Sequence, residues 1–576
     1  MAGKVKSLTE KQKLEHAGDV ARMVKLLMQH RHDQAGFTRY GNYDVFQQFM
    51  LGEMQIPQII GDVLNIEPQT SRVPIIKVSS LGCVRILLGK EHVSDVAQIL
   101  QDPHVAQQLD LAGDQAIHPD TYLHLLEHPR FNDQARGEIQ SRHIVRLVDG
   151  HYLTLDDDGL YGADTTYIEV PPQFDVPEVY NYRTKKTGKY LKVGFLVKLK
   201  KHGPHLIIAV VVALGDVDDR DILTALLDDA EHFLGPRIKV LVIDRGFYAG
   251  DFLHTLKFQR QIDFIIPPEN VCDYVRAAKQ EVTEYQPLER DGHTYQVAVR
   301  ENLQGVPGYA DPLHLVLDDR RAEAQREADA AAQVAPSLPA EPTPRQVLEG
   351  LSARQLRAVI QQGKEELRSQ YQLRLSRLKR PSKVAEVKAE QEARCKPLNT
   401  TGVKKAELVD IVLHHLPDTK AFRLALQMRQ PARKPRARLQ PGEKQIHSYL
   451  TSLAVKDAVE IIITYHQRIQ VDNSVIKMLK SYLTLENWPS HNLEAVKNHV
   501  LMVCLVFNMI QLFRSQRGRS FSGQSIAKLQ KEFLGQLAIA IYAGQEYVIL
   551  TFEEFVQAVA RSAGIVFEPL PDPGSF

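Results

Sequence analysis

Apolar positions along the chain keep a helical period towards both ends and a strand period between them. Up to about residue 145 they recur every three or four residues, as in VARMVKLLMQH (20–30), YDVFQQFMLGEM (43–54) and VSDVAQILQD (93–102), the spacing of amphipathic helices. This predicts a helical N-terminal domain over 1–145, with DNA-end binding as one role and a plain scaffold as the other. IVRLVDGHYLTLDDDGLYGADTTYIEV (144–170) then reads as strand, turn, strand. KVGFLVKLKK (192–201) and HLIIAVVVAL (205–214) read as a hairpin turning at Gly203 and Pro204. A helix is predicted over Asp219–Leu234 and another near 250–259. Between them, the apolar run of IKVLVIDRGFY (238–248) is bounded by Gly246, which suits a strand buried on both faces. IDFIIPP (262–268) is a second strand of that kind. Elements in this order predict an α/β core, a mixed sheet flanked by helices, over 146–268.

Residues 269–443 interrupt this layer and are predicted to be an insertion. It holds two strand candidates, TYQVAVREN (294–302) and PLHLVLDD (312–319), and an Ala/Pro-rich stretch over 322–344 with the composition of a mobile linker. Residues 371–440 carry 17 Lys+Arg against 6 Asp+Glu, a local net of +11, with clusters RLSRLKR (374–380) and RKPRAR (433–438). Such clusters suit a phosphate backbone, and equally a solvated helix face with a charged linker. Within this stretch TGVKKAELVDIVLHHL (401–416) resembles the second helix of small SAP-type DNA-binding modules. LSARQLRAVI (351–360) would be the first helix, but lies too far off in sequence for a compact module. From 444 the helical period returns, with a long helix over 455–483, a polar joint at 486–492 and an apolar helix over 493–514. These form the second part of the core, 444–516. A C-terminal helical region, 517–576, follows and is a candidate for dimerisation.

Over the whole chain 71 Lys+Arg balance 70 Asp+Glu, and 44% of the residues are hydrophobic. That is enough to fill large cores, which excludes global disorder. Cys83, Cys272, Cys395 and Cys504 form no CxxC pair, which argues against a zinc ribbon, a thioredoxin-like site and a disulfide framework. The start, MAGKVKSLTEKQKLEH, lacks the apolar stretch of a signal peptide. The longest apolar run, His499–Phe513, carries Asn508 and Gln511 and falls short of the about 20 residues that a membrane span needs. A soluble, cytoplasmic protein with no membrane partner is expected.

Three segments carry acids where burial makes an acid costly. Asp164 lies inside an otherwise apolar strand, in Gly162-Ala163-Asp164-Thr165-Thr166. Asp244 ends a buried strand, in Val242-Ile243-Asp244-Arg245-Gly246-Phe247, where Gly246 removes a side chain from the path of an approaching substrate backbone. Tyr465, Arg468 and Asp472 lie along one helical stretch. An ionised Asp among Val and Ile requires a partner or a metal. Tyr465 and Asp472 are seven residues apart, about 20° short of two turns at about 100° per residue. Arg468 is within one helical step of both, so hydroxyl, guanidinium and carboxylate line one face. Two carboxylates on neighbouring strands and a third from a helix can hold two Mg²⁺ ions on either side of a phosphodiester. Each segment alone also fits a turn acid or an ordinary helix face; their combination is what points to a site.

These motifs resemble the DDE transposases of bacterial insertion sequences, the large group with a Tyr-x2-Arg-x3-Glu-x6-Lys signature. The resemblance covers about residues 80–270 and 445–515. It rests on GADTT (162–166), VIDRGFY (242–248), YLTSLAVKDAVEIIITYHQRIQVD (449–472) and WPSHNLEAVKNHVLMVCLVFNMI (488–510). It implies an RNase H-like catalytic core interrupted by an insertion. It further implies that Asp164, Asp244 and Asp472 bind two divalent ions, Mg²⁺ with Mn²⁺ able to substitute. These would serve nicking at transposon ends and attack of the freed 3′-hydroxyl on target DNA. Tyr465, Arg468, Lys480 and Arg245 would contact DNA. The implied partners are double-stranded DNA, as terminal inverted repeats and target, and a second copy of the chain in a synaptic homodimer, acting in the bacterial cytoplasm at the nucleoid.

Two positions depart from the signature. Asp472 stands where the group has Glu, one methylene shorter. Leu479 stands at the Lys position, with Lys480 one residue late and so about 100° around the helix. A one-residue helix bulge between 472 and 480 would restore it. Two other readings therefore stay open, a DNA-binding relic or inhibitor that no longer cleaves and a host nuclease on the same fold. Glu460 and Glu486 are the next candidates for the third acid.

Overall fold

The structure is a computed structural model. It describes residues 20–565 apart from 67–72, 110–116, 322–343, 377–380, 426–444, 517–524 and scattered single residues and pairs. The described strands are β1 (Gln34–Thr38), β2 (Leu160–Glu169), β3 (Glu178–Asn181), β4 (Lys186–Lys198), β5 (Leu206–Leu214), β6 (Val240–Val242), β7 (Asp263–Ile266), β8 (Gln286–Arg290), β9 (His293–Leu303), β10 (Leu313–Asp319), β11 (Ile446–Thr451), β12 (Ala538–Ala543) and β13 (Glu546–Leu550). Ten of them form one sheet in the order β3-β4-β2-β6-β7-β11-β10-β9-β8, with β5 also paired to β4.

This sheet has a short parallel heart. β6 pairs with β2 on one side and β7 on the other, Val242 opposite both Gly162 and Ile265. The other pairings are antiparallel. The expected hairpin is β4–β5. The helix Asp219–Leu234 has the predicted ends, begun by Asp218, whose carboxylate accepts from Arg220 N–H, and stopped at Gly235 with φ +68°. Its apolar side, Ile222, Leu223, Leu226, Leu227 and Ala230, is buried where the helix packs on β4 and β5. Gly194 of β4 permits the approach, since a Cβ there would fall 2.4 Å from Ile222 Cγ2.

The apolar helix Leu493–Gln516 packs on β5 and on the helix Ile75–Leu87. Among the described residues it is the one helix long and apolar enough to cross a membrane, and 89% of its most apolar window is buried within the protein. Its polar residues are matched to this setting. Asn508 Oδ1 accepts from Ile207 N–H and its Nδ2 donates to Ile207 C=O, both at 2.8 Å. The side chain thus satisfies backbone groups of β5 that no further strand reaches.

Four expectations from the sequence change. Residues 144–149 continue the helix Asp133–Asp149 instead of opening a strand. Asn132 caps that helix by accepting from Ala135 N–H, and Ile139, His143, Ile144 and Leu147 recur on its buried side, so packing overrides the β-branched run. The strands at 286–319 lie in the core sheet and not in an insertion. The chain leaves that sheet at Asp319 and returns at Ile446, which are register partners, so the separate unit is Arg320–Gln445 and does not begin at 269. The N-terminal helices share one apolar core with the sheet, from Tyr43 through Leu147 onwards, and form no domain of their own. Finally, the C-terminal region is not all helix. β12 and β13 pair, β1 adds to their edge, and the helix Phe552–Ser562 packs against them, because AIAIYA and EYVIL are compact apolar runs of strand length.

Unit 320–445, taken by itself, is helical in its described part, with helices at Pro344–Glu349, Ala353–Ser376, Pro381–Cys395 and Lys405–His415. Its core joins Leu356, Val359 and Ile360 to Leu408, Val409 and Val412, so the two SAP-like pieces do meet. The interval between them is taken up by the end of Ala353–Ser376 and by Pro381–Cys395, two packed helices. Gly363 allows close contact, since a Cβ there would lie 2.7 Å from Leu416 Cδ2. The linker predicted over 322–344 lies outside the described residues up to 343, as do the basic residues 377–380 and 433–438.

Candidate active site

Strand register alone brings the first two acids level. Gly162 of β2 pairs with Val242 of β6, and two residues further along each strand stand Asp164 and Asp244, on neighbouring parallel strands and at the same height. Asp164 is still within β2 and only 2% exposed. Asp244 lies just past β6 and opens the tight turn Arg245–Phe247. Each carboxylate is oriented by the next backbone N–H. Thr165 N–H donates to Asp164 Oδ1 at 2.8 Å, and Arg245 N–H donates to Asp244 Oδ1 at 2.7 Å.

The third segment begins with the helix Ala458–Gln467, which Asp457 caps. It continues through a π-helical turn at Val471–Ile476 into Lys477–Tyr482. Asp472 lies in the π-turn. Gly162 sets how near this turn comes to β2, since a Cβ there would fall 2.9 Å from Val471 Cγ2. A π-turn accommodates an extra residue in a helix, the kind of bulge that the late Lys480 requires. Leu479 is fully buried in the core. Lys480 lies against β2, where its Nζ donates to Tyr167 C=O at 2.9 Å and pairs with Glu486 at 2.8 Å.

All three acids meet at Arg468. Its Nη2 lies 2.8 Å from Asp164 Oδ2 and 3.4 Å from both Asp244 Oδ2 and Asp472 Oδ2. Burial opposes the charge of Arg468, but Asp164, Asp244, Tyr465 and Asp472 outweigh it and raise the pKa. Tyr465 packs on Tyr449 with ring centroids 5.0 Å apart. Burial is the main reason its hydroxyl is pushed up to about 12, so it carries its proton at neutral pH. Arg245 is exposed beside Asp244. Arg468 was expected on DNA, whereas its guanidinium here is buried in the acid cluster. Glu460 pairs with Arg290, and Glu486 with Lys480. The lone tryptophan, Trp488, donates from its indole N–H to Glu169 C=O and ties its loop to the end of β2.

Two residues behind Asp164 escaped the sequence reading. Asp219 Oδ1 accepts from Thr165 Oγ1 at 3.0 Å and pairs with Lys192 Nζ at 3.1 Å. A lysine at the head of the apolar run 192–201 was the available signal, because lysine is rarely buried without a partner. At Gly246 a Cβ would meet only Asp219 Oδ2, at 3.6 Å. The protein's own packing therefore does not demand glycine there.

The donor set suits a divalent metal, since hard carboxylate oxygens from three segments converge on one point. The protein itself fills that point with a cationic nitrogen. With Arg468 in place, no three His, Cys, Asp or Glu side chains among the described residues stand close enough together to hold one ion.

The two acids stand level on adjacent parallel strands, Asp164 within β2 and Asp244 just past the carboxyl end of β6. The model of the transposase DDE domain family matches residues 143–509. The chain belongs to that family, whose members act in DNA transposition and use divalent metal ions. No curated protein matches the chain. Among solved structures, the cryo-EM structure of the piggyBac transposase synaptic complex with hairpin DNA is similar over 94% of this chain and 89% of that one, at 9% identity and a TM-score of 0.36. Similarity at that level bears on neither the fold nor the function of this chain.

Proposed function

We propose that the chain is an insertion-sequence transposase that nicks transposon ends and transfers the freed 3′-hydroxyl into target DNA, with Asp164, Asp244 and Asp472 as its metal ligands. The observation that carries this reading is the convergence of three carboxylates, from two strands and a helix, on one cationic nitrogen. The strand order β5-β4-β2-β6-β7, with β4 antiparallel and β6 and β7 parallel to β2, supports an RNase H-like core. Two divalent ions bound there, Mg²⁺ or Mn²⁺, would supply activation of the attacking oxygen and stabilisation of the leaving one. The protein's part is to hold the carboxylates: backbone N–H groups fix Asp164 and Asp244, and Gly162 lets Asp472 close on them. Tyr465, protonated at neutral pH, donates to a phosphate oxygen and does not act as a base. Arg245 and Lys480 contribute positive charge to the DNA path. The substrates are terminal inverted repeats and target duplex, and the active species is a homodimer working at the bacterial nucleoid.

A DNA-binding relic is the second reading, favoured by Asp472, which is shorter than Glu and stands 3.4 Å from Arg468 against 2.8 Å for Asp164. Labelled duplex carrying the gene's own flanking sequence, incubated with Mg²⁺, separates the two. Wild type nicks it site-specifically. Asp244→Asn and Asp472→Asn lose about 10³-fold or more, the several kcal/mol of a lost metal interaction, while still binding the DNA. Binding without nicking by wild type establishes the relic. Nicking that survives Asp244→Asn removes the mechanism.

A further inference from the structure

We propose that Arg468 is the resident counter-cation of the three-acid site. Its guanidinium gathers Asp164, Asp244 and Asp472 in the ion-free protein and leaves them when a divalent ion binds, so Arg468 is a positioning residue that competes with the metal. The proposal rests on the reading of those acids as metal ligands. A buried arginine with a purely structural role spreads its donors over separate acceptors. Arg85 does so, through Lys90 C=O, Glu91 C=O and His499 Nδ1. Arg468 instead directs one nitrogen at three carboxylates. One positive charge faces three carboxylates; exchanging it for a divalent ion adds one positive charge to the site, which exchange for a monovalent ion does not.

The cluster also has a direction in which to open. The Asp244 and Asp472 side chains are 32% and 38% exposed, against 3% for Asp164. A released guanidinium swings out on their side, where a phosphate can take it in a two-pronged contact. Arg468 directly follows the helix Ala458–Gln467 and precedes the π-turn, where the helical hydrogen bonds change pattern and the backbone has room to adjust.

The test is Mn²⁺ binding to the full chain without DNA, read from the electron paramagnetic resonance of free Mn²⁺, with melting temperature as a second readout. Wild type, Arg468→Gln, Arg468→Lys and Asp244→Asn are compared. Arg468→Gln is expected to melt lower than wild type without ions and to bind Mn²⁺ about tenfold more tightly, a change of about 1.4 kcal/mol. Arg468→Lys, with one ammonium in place of the planar fork, is expected to fold and to bind with an affinity between the two. If the Gln variant is too unstable to titrate, the Lys variant alone decides, and tighter binding than wild type supports the exchange. Equal or weaker binding by the variants overturns it while leaving the acids as ligands, provided Asp244→Asn has lost Mn²⁺. If Asp244→Asn binds as well as wild type, or no variant binds at all, the three-acid reading fails and the exchange falls with it.

Discussion

Arg136 and Arg468 are both nearly buried, at 7% and 6% exposure, and each joins segments more than 300 residues apart in sequence. Their surroundings differ in kind. Arg136 donates to Asn498 Oδ1 at 2.7 Å, to Phe131 C=O at 3.3 Å, to Glu494 at 2.7 Å and to Asp133. Its two acids are largely in water, with side chains 82% and 46% exposed, and Lys497 bridges both. That group is close to neutral and holds the helix Asp133–Asp149 against Leu493–Gln516. Around Arg468 the acids outnumber the guanidinium, and Asp164 has almost no contact with water. Burial of an arginine is therefore not informative by itself. A balanced set of neutral acceptors and hydrated acids marks a structural join, whereas several acids drawn onto one nitrogen leave that cation outnumbered, the feature on which the proposed exchange with a divalent ion rests.

The comparison breaks most readily at Arg136. Arg136→Met should cost about 2 kcal/mol, because Asn498 Oδ1 is left without the Arg136 donor in the interior while Phe131 C=O keeps only Asn498 Nδ2, and urea unfolding would read the loss. Nicking per folded molecule should stay within twofold of wild type. If nicking collapses while the fold persists, the two arginines are not the different devices described above.

An effect of similar size on stability is expected at Gly162, which bears on the Arg468 side through Val471, the neighbour of Asp472. Gly162→Ala pushes Val471 off β2, at a cost of about 1–3 kcal/mol for overpacking, and carries Asp472 away from Asp164. Nicking should fall about tenfold, with Mn²⁺ binding weakened in step. An unchanged Mn²⁺ affinity would show that the π-turn is not held by that contact.

Acid should loosen the helix pair that Arg136 joins, by a more gradual effect. Burial lowers His143 to about 4, and burial with the nearby Arg85 charge lowers His499 to about 3. His143 shares its helix with Arg136, and His499 follows Asn498. Both imidazoles are neutral when folded, while the unfolded chain takes up protons near the ordinary value of about 6.5. The unfolded state thus binds more protons between the two values. Stability is full above about pH 6.5 and falls as the pH drops towards 4. Melting temperatures at pH 7.5, 6 and 5 should decline in that order, and less steeply in His143→Gln. A flat profile over that range would mean that these imidazoles are not held neutral.

Much of this architecture was legible along the chain. The ends of the helix Asp219–Leu234 follow from Asp218 and from Gly235, and the β4–β5 hairpin follows from two apolar runs around Gly203. The misreadings share one cause. Ile144 and Val145 favour a strand locally, yet the cap at Asn132 and the buried spacing of Ile139, His143 and Leu147 extend the helix. β9 and β10 read as strands but not as members of the core sheet, because their neighbour β11 comes more than a hundred residues after β10, and β8 does not read as a strand. The SAP-like pieces seemed too far apart because sequence distance ignores the helical hairpin that takes up the interval and lets the two pieces meet.

At the site, residue spacing determined which chemical groups were available: an acid inside β2, an acid after β6, and tyrosine, arginine and aspartate on one helical face, with Lys480 one position late. Whether those groups meet was decided by the tertiary structure. Parallel register sets Asp164 level with Asp244, and the absent side chain of Gly162 admits the π-turn that brings Asp472 and re-aims Lys480. Only in three dimensions does Arg468, taken from the family resemblance as a DNA contact, meet an acid 304 positions away. Local spacing fixes which face of an element a side chain occupies. Which faces are pressed together depends on the packing of the whole core, and the electrostatics of the site follow from that packing.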